Sequence, residues 1–141
     1  MGLLMTWLDP TLIRGDYLCL CTTEAEFLKE LKRTKVPKPW PSFMDDDALA
    51  QTHFIVTAKG NRVSFVCIDE NKDLDSIQIA GLLAHESSHI CYEYFRFIGE
   101  AEPSNEFQAY AVQQVFTQLL YAYADKLTKI KGKKLTKRNN L

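Results

Sequence analysis

Five consecutive residues, His85-Glu86-Ser87-Ser88-His89, combine side chains that could do chemistry at a spacing that could use them. They match H-E-x-x-H. On a helix, histidines at i and i+4 stand one turn apart on one face, so both imidazoles reach a single metal ion. Zn²⁺ takes imidazole nitrogens at about 2.0–2.1 Å and tolerates this geometry. Glu86 adjoins His85, so its carboxylate falls beside the ion and could take a proton from a metal-bound water. The flanking Ile77, Ile79, Leu82, Leu83 and Ala84 predict a buried, rigid helix. Two histidines and a glutamate are costly there unless partners satisfy them. Core histidines bonded to backbone or carboxylates are the plain alternative, and the context favours the metal.

A catalytic zinc usually has three protein ligands plus water, so the third must come from elsewhere. Glu93 continues the histidine face but lies eight residues from His85, about 12 Å along a helix axis. It cannot share one ion with both histidines, and a supporting or solvent role suits it better. Glu100 and Glu102 fall in the loop that follows. Glu106 is the first candidate, because it opens the next long helix and a short loop returns that helix antiparallel beside the first. On the face of Glu106 lie Tyr110 at i+4 and Gln113 at i+7. Tyr110 is the candidate donor to an oxyanion, against a packed aromatic as the alternative. Tyr92 and His53 are weaker candidates, and His53 reads better as a surface or internally bonded histidine.

The elements that must hold these residues are legible from pattern. Asp16–Thr22, apolar and bounded by Gly15, reads as a strand. Thr23 with Glu26 three residues on marks a helix start, and Phe27, Leu28 and Leu31 supply its apolar stripe. Three prolines between Val36 and Pro41 require extended or turned chain, and Asp45-Asp46-Asp47 reads as loop. Thr52–Ala58 and Arg62–Ile68, separated by Lys59-Gly60-Asn61, read as a hairpin. Asp75 and Gln78 cap a helix that runs to about Phe97 and ends at Gly99. A second long helix follows Pro103, from near Ser104 to about Lys126. Its Val112, Val115, Phe116, Leu119, Leu120 and Tyr123 form a broad face for core packing, with some surface available to a homodimer. The class is α+β: a small sheet of hairpin plus N-terminal strand on two long helices.

The chain's 141 residues amount to one domain. With 46% hydrophobic and 25% charged residues, it has a globular profile and needs no disulfide staples. No apolar run approaches a membrane span, and Met1–Pro10 lacks the features of a signal peptide. The net charge of −1 hides an asymmetry. Up to Asp125 there are ten Lys and Arg against all eighteen Asp and Glu, a net −8; the remaining residues carry seven basic side chains. We read 1–125 as the domain and 126–141 as a basic, frayed tail with a weak attraction for polyanions such as nucleic acid. Cys19, Cys21, Cys67 and Cys91 read as buried structural thiols in a reducing compartment.

His85-Glu86-Ser87-Ser88-His89 followed by Glu106-Phe107-Gln108-Ala109-Tyr110 resembles the gluzincins, zinc metallopeptidases whose third ligand is a glutamate on a following helix, often in an E-x-x-A context. The small size resembles the minimal forms called minigluzincins. The run from the hairpin through VCIDE, HESSH, IGE and EPSNEFQAYAVQ is similar to small proteins of phages and prophages, over roughly residues 45–125. Sixteen residues separate His89 from Glu106, slightly fewer than in thermolysin-like enzymes, and no second large domain fits. There is no third histidine of the metzincin kind after the motif. The resemblance implies a zincin-like fold, His85, His89 and Glu106 as Zn²⁺ ligands, Glu86 as general base, and an edge strand that holds a peptide substrate. The expected function is therefore a zinc metallopeptidase in the cytoplasm of a bacterium or phage-infected host. The alternative from another class is a catalytically silent, zinc-stabilised binding or assembly module of a phage or prophage. A nucleic-acid accessory role through the Lys-rich tail is a third and weaker reading.

Overall fold

The computed structural model describes residues 7–8 and 16–139. The signal-peptide reading of Met1–Pro10 falls, Trp7 and Leu8 apart, outside them. The order is β1 (Trp7–Leu8), β2 (Asp16–Cys21), α1 (Glu24–Arg33), β3 (Ala50–Val56), β4 (Arg62–Ile68), α2 (Ser76–Phe97) and α3 (Asn105–Asn139). The class is α+β, with a mixed four-stranded sheet in the order β1-β2-β4-β3. β3 and β4 form the antiparallel hairpin, β2 lies parallel to β4, and the two-residue β1 closes the far edge. A parallel neighbour needs a crossover, and α1 provides it.

Alternation along the strands divides the core. Leu18, Leu20, Val66 and Ile68 point to α2 and α3. Cys19, Cys21, Val63, Phe65 and Cys67 point the other way, against Phe27 and Leu31 of α1. With both faces covered, β4 is buried from Val63 to Ile68, whereas the edge strand β3 is half exposed. The sheet is thus sandwiched between helices, where sequence reading placed it on two long helices alone.

Local signals set the helix ends. Thr23 Oγ1 accepts from Glu26 N–H at 3.1 Å. Asp75 and Gln78 close a reciprocal capping box, which satisfies two otherwise orphaned donors. Gly99 ends the second helix with φ of +74°. The expected end of α3 near Lys126 is corrected: the helix runs on to Asn139. Lys126 is only 3% exposed and its Nζ pairs with Glu26 Oε1 of α1, so it belongs to the packed body and not to a loose end. The lysines, leucines and Arg138 that follow are good helix formers, against which Gly132 and two threonines are less favourable. No helix among the described residues is long and apolar enough to cross a membrane.

Candidate metal centre

The buried face of α2 repeats at Ile79, Leu83, Glu86, Ser87 and Ile90. Helical periodicity therefore turns Glu86 toward the sheet while His85 and His89 fall at the helix flank, exposed. This corrects two expectations. The histidines stand on a rim and not inside the core, and Ile77 is 82% exposed, so the apolar flank begins at Ile79.

The two imidazoles meet edge to face with ring centroids 4.7 Å apart. Their Nε2 atoms lie 3.0 Å apart, a hydrogen bond when one ring carries its proton there. Two nitrogens bound tetrahedrally to one zinc stand about 3.3 Å apart, from bonds of about 2.05 Å. The pair therefore fits a shared ion with a few tenths of an ångström of adjustment.

Glu86 is 5% exposed, and its Oε2 accepts from the Thr52 hydroxyl of β3 at 2.6 Å. A buried carboxylate without partners is costly; this bond ties Glu86 to the edge strand. A recess of about 380 Å³ opens between α2 and β3, walled by His85, Glu86, His89, Thr52, Phe54 and Asp45. Asp45 is held in place by Gln51, whose side chain accepts from Asp45 N–H at 2.8 Å and donates to Asp45 Oδ2 at 3.2 Å.

The structure thus brings together His85, Glu86 and His89, and adds Thr52 and Asp45. Sequence reading missed both additions. Thr52 stood out only as a strand residue, and the loop ahead of β3 showed no pattern. Glu106 is not brought to the histidines. The Phe95 and Phe107 rings pack 5.3 Å apart, which sets the first turn of α3 beside the last turns of α2. Six residues, about 9 Å along the axis, separate Phe95 from His89. Among the described residues no three His, Cys, Asp or Glu side chains gather to hold an ion.

Glu100 and Glu102 wall a separate recess with Tyr92 and Arg96, and Glu93 pairs with Arg96 at 3.1 Å. Tyr110 is 60% exposed, neither a packed aromatic nor part of the histidine recess. His53 bonds through Nε2 to Phe43 O at 3.0 Å and stacks on Phe27 at 5.1 Å, so it is the internally bonded histidine of the expectation. All four cysteines are buried and free. Burial pushes the Cys91 thiol up to about 12 and raises Cys19 and Cys67 as well. Comparison with known protein families, curated proteins and solved structures finds no match.

Proposed function

We propose that the chain is a zinc-dependent metallopeptidase of minimal, zincin-like form. The observation that carries this reading is the convergence of the His85 and His89 Nε2 atoms beside a buried Glu86, in a recess bordered by the free edge of β3. His85 and His89 would help hold the zinc ion, which would supply Lewis acidity toward a carbonyl and a more acidic bound water. They would be two of its ligands. Glu106, the third ligand the resemblance implies, is not gathered with them among the described residues, so the residues present supply only part of a three-ligand set.

Glu86 acts as general base. Its Oε2 is occupied by the Thr52 hydroxyl, which leaves Oε1 to accept a proton from water and return it to the leaving amine. The edge of β3 offers unpaired backbone groups to an extended peptide, a common recognition mode. Tyr110 does not line the recess, so it is not assigned the role of oxyanion donor.

The second reading is a zinc-stabilised binding or assembly module of a phage or prophage. The separation of Glu106 from the histidines weighs on both readings, since a structural zinc takes four protein ligands and a catalytic one three. Glu86→Gln separates the two readings. A peptidase loses all measurable cleavage of a peptide library while keeping its zinc. Cleavage undiminished in that variant would overturn the assignment of Glu86 as base. A wild type that binds zinc and cleaves nothing would count against the peptidase.

A further inference from the structure

On the opposite face of the sheet from the histidines, between the end of α1 and the β3–β4 turn, lies a recess of about 440 Å³ with a different chemistry. Trp7 and Tyr17 supply rings to its wall, and Arg33, Lys35 and Lys59 supply cations; no Asp or Glu lines it. Up to Asp125 the chain holds only ten Lys and Arg against eighteen acids, so a recess lined by Lys35, Lys59 and an Arg33 already paired to Glu30, with no acid on its wall, runs against the field of the body. Such a concavity concentrates anions.

The recess is preformed. Glu30, behind the wall, accepts from Trp7 Nε1 at 2.8 Å and from Arg33 Nε at 2.7 Å. The guanidinium lies 5.2 Å from the centre of the Trp7 ring, so one carboxylate fixes both. Lys35 has a φ of +56°, a left-handed position at a helix end that ordinarily takes glycine. Its carbonyl accepts from Ala58 N–H at 3.1 Å, which stitches the end of α1 to the turn bearing Lys59. Neither Lys35 nor Lys59 has an ion-pair partner among the described residues.

We propose that this recess binds a nucleotide phosphate, with the phosphate held by Lys35, Lys59 and the free edge of Arg33 and the base laid against Tyr17 and Trp7. Charge-assisted bonds from two lysines without an ion-pair partner among the described residues, with Arg33 donating from the edge that Glu30 leaves free, suit a dianion, and bases stack on aromatic faces whatever their sequence. The volume lies within the range of small-ligand sites. A free mononucleotide and one residue of a single strand share this chemistry.

Titration calorimetry on the full chain tests the proposal with adenosine monophosphate, a short single-stranded oligonucleotide and inorganic phosphate. Saturable binding of the mononucleotide or the oligonucleotide is expected, tighter than that of phosphate, and whichever of the two binds more tightly identifies the source. Lys59→Glu, at an exposed turn position, weakens it by about tenfold. Lys35→Gly weakens it also while leaving the helical circular dichroism intact, since glycine suits that backbone. Absence of binding to either nucleotide ligand in the wild type would overturn the proposal. Phosphate binding as tight as nucleotide binding, or both variants binding like the wild type, would do the same. None of these outcomes depends on zinc.

Discussion

Thr52 reaches Glu86 from a neighbouring strand with one hydroxyl, and at the residue scale that contact decides how the buried carboxylate is held. Thr52→Val keeps the shape and removes the donor, which leaves a buried oxygen without its partner at a cost of about 1–3 kcal/mol. Denaturant unfolding of Thr52→Val and Thr52→Ser should show that loss in the first and most of the stability restored in the second. Equal stability of valine variant and wild type would mean the bond does not hold Glu86. The thiols give a second residue-scale expectation. Burial raises the Cys91 thiol from an ordinary 9.0 to about 12, so the folded chain keeps a proton that the unfolded chain releases. Stability from this group is complete below about pH 9 and falls as pH climbs toward 12. A Cys91→Ala variant should lose less stability over that window in thermal melts. His85, Glu86 and His89 were legible as a group because their spacing is a helix turn. Thr52 and Asp45 were not, because strand pairing across residues far apart in sequence places them at the recess.

At the scale of elements, caps and periodicity were readable locally, and the paired Asp75 and Gln78 set the start of α2 as expected. Which face of α2 turns inward was harder to read. The apolar flank suggested buried histidines, but the Ile79, Leu83, Glu86, Ile90 repeat puts the glutamate inside and the histidines at the rim. The parallel pairing of β2 with β4 and the covering role of α1 were not legible either, since nothing local distinguishes a parallel neighbour. The contact between Lys126 and Glu26 joins α3 to α1 across 100 residues of sequence, and no local pattern announces it. Glu26 keeps a quarter of its side chain exposed, so water can partly solvate it once its partner is gone. Lys126→Ala should therefore cost about 2–3 kcal/mol, somewhat less than breaking a fully buried pair. Lys126→Met should recover much of that in urea unfolding, because it restores an apolar stem at a position only 3% exposed. Equal losses in both variants would assign the whole effect to the charge.

For the whole molecule, the sheet and α2 hold the histidine pair beside Glu86 and Thr52, while α3 carries the one proposed ligand that stands apart. Under the proposed function, a zinc ion held by His85 and His89 would need a third ligand that the recess does not present among the described residues. If zinc binds the folded chain and not the unfolded one, free zinc at a hundred times its dissociation constant should stabilise the fold by about 2.7 kcal/mol. The direct test is native mass spectrometry of zinc content in wild type, His85→Ala, Glu106→Ala and Glu86→Gln. One zinc per chain is expected in the wild type and in Glu86→Gln. Loss is expected in His85→Ala and, if Glu106 is the third ligand, a weakening in Glu106→Ala beyond the roughly 10–100-fold typical of an outer partner. A folded wild type that takes up no zinc when zinc is supplied would contradict the account and leave His85 and His89 as two hydrogen-bonded surface histidines.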